Sequence, residues 1–226
     1  MTDTSTDTPT DTAPPPSPTS STSSTSSSVS AIVDTRWKIF WIIGLLSLVA
    51  DQATKIWARA SLPTHPAGCN VPEDFITHRC GGTAVDVISG FWEWRLSMNP
   101  GAAFSMFGGQ SFSRVLLSAI GVLAVAGMLW MLKKARADQK VLHCALAFVV
   151  GGAVGNLIDR IYHGVVTDFV LWRYKTHHWP VFNIADVVLV VGVGLMVIDI
   201  QKEGKREKAA KKAAQEKAKA AGLLDR

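Results

Sequence analysis

The sequence predicts an all-α integral membrane protein with four transmembrane helices and a small strand-forming segment on one side of the membrane. Three observations carry this. Four apolar stretches, each near the roughly 20 residues that cross a bilayer, interrupt a polar chain. The second and third are joined only by KKARADQK, a short basic loop. The mean hydropathy of +0.21 hides a strong partition, because the apolar residues crowd the middle of the chain and polar segments flank it.

Residues 1–35 form the first segment and are dominated by Ser, Thr, Pro and Asp, including Pro14-Pro15-Pro16. Such a composition has little apolar surface to bury, so a disordered tail is expected. The first thirty residues lack both an apolar core and a basic leader, so no cleavable signal peptide is expected there. The first apolar stretch then acts as an uncleaved anchor. Residues 36–200 form the membrane domain. Its spans are expected at Trp37–Trp57, Val115–Leu132, Val141–Ile158 and Val181–Ile200. Residues 201–226 form a basic tail that contains Lys202, Lys205, Arg206, Lys208, Lys211, Lys212, Lys217 and Lys219. Directly after an apolar span, such a tail fits a helix on the cytoplasmic face near anionic headgroups better than a nucleic-acid contact.

Positive charge retained on the cytoplasmic side sets orientation. KKARADQK, Arg36, Lys38 and the basic tail all place both termini inside, so that segments 59–112 and 159–180 face outward. Within the first of these, Val85–Leu96 is rich in aromatic and β-branched residues and suits a short strand pair. Trp92 and Trp94 fit the headgroup level. Cys69 and Cys80 lie in the same outward segment; they either pair in an oxidising exterior or remain two thiols. Cys144 falls inside a span and is expected to pack as a small apolar residue. Gly151, Gly152 and Gly155 suit close helix packing.

Ionisable groups within a span are costly and mark functional sites. Here they gather toward the outward face. Asp51 and Lys55 are four apart on one helix face and suit an ion pair. Asn156, Asp159 and Arg160 close the third span, where Asp159 can pair with Arg160 or a neighbour. Asp138 and Asp199, at the inner ends, read as boundary charges. Asp168 and Asp186 differ from these. No Lys or Arg stands three or four residues from Asp186 in its span, and the antiparallel hairpin of spans three and four can bring Asp168 over it. Two adjacent carboxylates share a proton, which supplies a base to activate water and an acid for the leaving amide nitrogen. Peptide hydrolysis without a metal follows. No HExxH spacing is present, so neither a metal site nor a cofactor is expected. A small proton- or ion-coupled carrier built on the same acids is the alternative. It needs a polar path to the inner side, and the inner halves of spans two and four are apolar.

Five stretches, DQATK at 51–55, NPGAAF at 99–104, GNLIDR at 155–160, VVTDF at 165–169 and FNIAD at 182–186, make the chain resemble lipoprotein signal peptidase (signal peptidase II), a family of bacterial membrane aspartyl proteases. The resemblance covers roughly 37–200 and neither tail. It implies a fold of four helices with an outward β-cradle and a surface helix. It implies cleavage of diacylglyceryl-modified prolipoproteins before the lipid-modified Cys, at the outer face of the bacterial inner membrane. It makes Asp168 and Asp186 catalytic. It also implies that Asn99, Asn156, Arg160 and Asn183 line the site, with Asp51 and Lys55 supporting it from beneath. Membrane lipids are the other expected partners, nucleic acid is not, and the chain is expected to act as a monomer. The N-terminal extension, the loop from about Leu62 to Thr83 and the long basic tail depart from the family pattern.

Overall fold

The computed structural model describes residues 25–220 and their side chains other than those of 25–36, 102–108 and 110. Four long helices carry the fold: α1 (Thr25–Ser61), α3 (Ala102–Lys134), α4 (Lys140–Tyr162) and α5 (Ile184–Ala220). Each contains a segment long and apolar enough to cross a membrane: Trp37–Ser61, Ser111–Lys134, Lys140–Tyr162 and the apolar part of Ile184–Ala220. Leu46, Val49, Val115, Leu123, Val190 and Ile200 lie exposed on the bundle. So much exposed apolar surface suits a hydrocarbon solvent rather than water.

Helix α1 already runs from Thr25, so residues 25–35, expected in the disordered tail, are helical. Extending an existing helix avoids the cost of nucleation, so a stretch whose β-branched Val29, Ile32 and Val33 are weak helix formers can still continue it. The rest of that expected tail, 1–24, lies outside the described residues. Helix α3 contains a break at Gly109, whose φ of 76° and ψ of −179° no other residue adopts readily. Helix α5 starts at Ile184 rather than Val181 and continues well past the apolar stretch through the basic segment.

Helix α4 is the centre of the bundle and packs against α1, α3 and α5. Its glycines permit this. A Cβ on Gly151 would sit 2.8 Å from the Gly44 carbonyl oxygen of α1, and one on Gly152 would sit 2.6 Å from the Ala185 carbonyl oxygen of α5. At the end carrying the α3–α4 loop, Arg136 and Arg206 form an exposed ion-pair network with Asp138 and Glu203. Asp199, buried nearby, accepts a hydrogen bond from Gln139. Asp138 and Asp199 are thus boundary groups tied to neighbours. The exposed pairs contribute little to stability.

The opposite end carries the β structure. Strands β3 (Val85–Ile88), β4 (Trp92–Asn99), β5 (Val166–Tyr174) and β6 (His177–His178) form an antiparallel sheet in that order. The strand pair expected at Val85–Leu96 is β3 and β4, and His177-His178 forms β6. Two shorter strands, β1 (Thr64–His65) and β2 (Gly81–Gly82), pair beside the sheet. Between them lie the short helix α2 (Glu73–Ile76) and the Cys69–Cys80 disulfide, which answers the question the sequence left open. Ala58, Leu62, Phe75, Leu96, Phe169 and Val170 form a core that joins this loop, the sheet and α1. Burying a side chain as large as Phe169 or Leu96 stabilises by roughly 2–3 kcal/mol.

Candidate active site

The site is assembled where β5 meets the start of α5. Phe182, just before α5, pairs with Val170 of β5. The Phe182 N–H donates to the Val170 carbonyl at 3.0 Å, and the Val170 N–H donates back at 2.8 Å. This bridge places Asn183 beside Asp168, although fifteen residues separate them. The register of β4 on β5 sets Ser97 opposite Asp168 and Asn99 opposite Val166.

Asn183 is the pivot. Its Nδ2 donates to Asp168 Oδ1 at 2.7 Å and lies 3.2 Å from Asn156 Oδ1. Its Oδ1 accepts the Asp186 N–H at 3.0 Å, while its own backbone N–H donates to Asp186 Oδ2 at 3.2 Å. This reciprocal arrangement, an Asn three residues before an acid, is a capping box at the N-terminus of α5. Asp186 therefore occupies the first turn of α5, beside the positive end of the helix dipole. The sequence reading set it five residues inside a span.

Asp168 is buried, while Asp186 is partly exposed. A second amide, from Asn99 Nδ2, reaches Asp168 Oδ2 at 3.1 Å, and the Gly101 N–H anchors Asn99 through its Oδ1 at 2.8 Å. Asn156 Nδ2 donates to Asp186 Oδ1 at 3.0 Å. The four amide and carboxylate side chains of Asn99, Asp168, Asn183 and Asp186, with Asn156 beneath, thus form one continuous network. Burial first, and the Asp186 charge second, push the Asp168 carboxyl up to about 7, against the pull of its two amide donors.

Beneath this layer lies a charged plug. Lys55, fully buried, donates to Asn156 Oδ1 at 2.8 Å and pairs with Asp51 at 2.9 Å and Asp159 at 3.6 Å. Asp51 Oδ1 accepts the Ala185 N–H at 2.9 Å, so α1 also holds the first turn of α5. Gly155 makes the approach possible, since a Cβ there would meet Asp51 Oδ2 at 2.4 Å. Of the two partners expected for Asp159, Arg160 or a neighbour, the structure gives neighbours, Lys55 and Arg59 of α1, since successive helix residues such as Asp159 and Arg160 do not face one another. Arg160 instead sends Nη1 to the Asn156 carbonyl at 3.4 Å, within electrostatic reach of Asp186 and Asp168.

Arg59 and Thr167 escaped the sequence reading as site residues. Arg59 Nη1 donates to Thr167 Oγ1 at 2.7 Å, and the Thr167 N–H donates to Asp159 Oδ2 at 2.8 Å. Successive strand residues point to opposite faces, so holding Thr167 on one face aims Asp168 toward the other. The signal was available: Asp51, Lys55 and Arg59 recur every four residues on one face of α1. Among the described residues no group of His, Cys, Asp and Glu could hold a metal ion.

Comparison with known proteins places this arrangement. The family model for signal peptidase II matches residues 43–202. The lipoprotein signal peptidase of Geobacter metallireducens is 34% identical over 171 residues, covering 76% of this chain and 95% of that protein. That of Xylella fastidiosa is 35% identical over 164 residues, covering 70% and 87%. Two solved bacterial membrane enzyme structures, each 25% identical, superpose with TM-scores of 0.58 and 0.57 and cover 74% and 71% of the chain. All five stretches noted in the sequence fall within the matched residues, and the chain belongs to the signal peptidase II family.

Proposed function

We propose that the chain removes signal peptides from prolipoproteins, as an aspartic-type peptidase cutting before a diacylglyceryl-modified Cys, with Asp168 and Asp186 as its catalytic pair. Family membership supports the peptidase activity and the prolipoprotein substrate. The single observation that supports the pair is Asn183, which hydrogen-bonds both carboxyl-bearing residues at once. A carrier reading of the same acids finds no support in the relatives.

In this reading Asp186 receives a proton from water as the water oxygen attacks the scissile carbonyl carbon. Asp168 gives its proton to the carbonyl oxygen, leaving a tetrahedral diol. Asp186 then passes its proton to the amide nitrogen. The C–N bond breaks, one hydroxyl proton returns to Asp168, and the carboxylic acid product forms. Asn99, Asn156 and Asn183 hold the two carboxyl groups in place. Arg160 supplies a donor for a substrate backbone carbonyl, and the Asp51–Lys55 pair fixes the layer below.

The catalytic unit is residues 36–200, with the tails outside it. All elements of the site come from one chain, which suits a monomer surrounded by membrane lipids, with no part for nucleic acid. The basic α3–α4 loop and the basic extension of α5 lie together at the end opposite the site. By charge retention this end, with both termini, faces the cytoplasm and the site opens near the outer face of the inner membrane. The test uses purified protein with a prolipoprotein peptide carrying, or lacking, the diacylglyceryl group. Mass spectrometry is expected to show one cut, immediately before the modified Cys, and little product from the unmodified peptide. Equal cleavage of both peptides would refute the lipid requirement.

A further inference from the structure

At the end opposite the site, the start of α4 and the middle of α5 enclose a cavity of about 360 Å³. Lys140 lines it from α4, and Asp199, Lys202, Glu203, Lys205 and Arg206 line it from α5, with Asp138 from the loop before α4. These charges do not cancel. Asp138 and Glu203 are each held by both Arg136 and Arg206, at distances of 2.7 to 3.1 Å, so those four groups form a closed and neutral quartet. Asp199 is buried and accepts from Gln139 Nε2 at 3.1 Å. Lys140, Lys202 and Lys205 are left, all exposed, and among the described residues they form no ion pair. Three ammonium groups thus outnumber the one remaining carboxylate. We infer that this cavity binds the phosphate of an anionic phospholipid, whose acyl chains run into the bilayer beside α5. The inference goes beyond the peptidase reading and needs only that the four helices span a membrane.

Position makes the ligand a lipid. Ile200, just before Lys202, is 67% exposed, and Val197 and Ile198 are exposed too, so hydrocarbon-facing surface reaches the rim of the cavity. On α3 of the same end, Trp130 is 64% exposed and the Lys134 ammonium lies 6.0 Å from its ring centre, a pairing that suits the headgroup level. A second cavity, of about 380 Å³, adjoins the first and shares Gln139, Asp199 and Glu203 with it. Met131, Leu142, Met196 and Ile200 give this second cavity an apolar wall. A charged chamber beside an apolar one fits an amphiphile, whereas a soluble anion would use only the first. Basic pockets between spanning helices at a membrane boundary suit phospholipid headgroups for this reason. Lys202 and Lys205 share a face of α5, and Lys140 comes from the other helix, so a phosphate between them ties α4 to α5.

The test uses the full chain in a nonionic detergent. Native mass spectrometry follows the fraction of chains that retain one added molecule across titrations of phosphatidylglycerol, phosphatidylcholine and soluble glycerol phosphate. Wild type is compared with a cleft variant, Lys140→Gln/Lys202→Gln/Lys205→Gln. A tail variant, Lys212→Gln/Lys217→Gln/Lys219→Gln, loses the same charge from α5 at roughly 10 Å or more beyond Lys205, about a Debye length away. All six lysines are exposed, and thermal unfolding checks that both variants fold. Wild type is expected to retain one phosphatidylglycerol in preference to phosphatidylcholine. The cleft variant is expected to bind phosphatidylglycerol roughly a hundredfold more weakly, and the tail variant less than about threefold more weakly. Equal weakening in the two variants would reduce the effect to the general charge of the tail. Equal retention of phosphatidylcholine by wild type would reduce it to ordinary lipid contact, and glycerol phosphate bound as tightly as phosphatidylglycerol would make the cavity a soluble-anion site. Each of these results overturns the inference, as does a cleft variant that binds phosphatidylglycerol like wild type.

Discussion

Asp168→Asn and Asp186→Asn are each expected to lower kcat for prolipoprotein cleavage by at least about a thousandfold, while the protein stays folded. The amide is nearly isosteric with the carboxyl, but Asn99 and Asn183 donate to different oxygens of Asp168, so one of them keeps a carbonyl acceptor and the other loses its hydrogen bond. What disappears is the exchangeable proton. At position 186 the substitution also weakens the capping box, since a neutral amide oxygen replaces the anion that accepts the Asn183 N–H; that loss costs about 1 kcal/mol of helix stability. The two variants should therefore share a catalytic defect, with Asp186→Asn slightly less stable. Single-turnover assays and thermal unfolding of the same preparations separate the two effects. Substantial cleavage by either variant would remove that carboxylate from the catalytic pair.

Lys55→Met is expected to produce the largest loss of stability. Lys55 and Asp51 are both completely buried, and the Lys55 ammonium also serves Asp159 and Asn156. Removing the cation leaves Asp51 buried without a partner charge, at a cost of about 3–5 kcal/mol. Arg59 still neutralises Asp159, so the damage centres on Asp51. Adding Asp51→Asn should then recover part of the lost stability, because it removes the stranded charge and an amide oxygen can still accept the Ala185 N–H. Cleavage should fall in both variants, since Asn156 loses the donor that orients it against Asp186. Chemical or thermal unfolding of the two single variants and the double variant measures the coupling. Losses that simply add would show that Lys55 and Asp51 do not act as a pair.

The membrane domain was legible because hydrophobic periodicity and length are properties of the chain itself, and each expected span overlaps a helix. Strand pairing at Val85–Leu96 was legible for the same local reason. Asp186 stood out because no cation stands at helical spacing from it, and Asp168 because the hairpin of spans three and four can bring it over Asp186. Asn156 and Arg160 were visible as polar groups closing the third span, but the site-lining role of Asn99, Asn156, Arg160 and Asn183 came only through the resemblance, and the structure connects all but Arg160 directly to the two aspartates. What was not legible depends on contacts between elements. The partner of Asp159 is on α1, and helix spacing within α4 could not identify it. The position of Asp186 in the first turn depends on the Phe182–Val170 bridge, which ends β structure at the residue where α5 begins. Its capping box could have been read from Asn183 and Asp186, three residues apart. The disulfide depended on the path of an eleven-residue separation through α2.

The proton on Asp168 is also a statement about pH. The folded protein holds it up to about 7, whereas an ordinary carboxyl releases it near 3.8. Between those values the folded state binds a proton that the unfolded chain has lost, so the contribution of this group to stability falls as pH rises through the window. On the proposed mechanism activity follows the same proton, because Asp168 serves as the acid only while it is protonated. The decisive measurement is the pH dependence of kcat/KM for a diacylglyceryl-modified prolipoprotein. A proton-sharing pair gives a rate that falls as pH rises through about 7. A rate that stays level, or climbs, across that range would contradict a catalytic proton on Asp168.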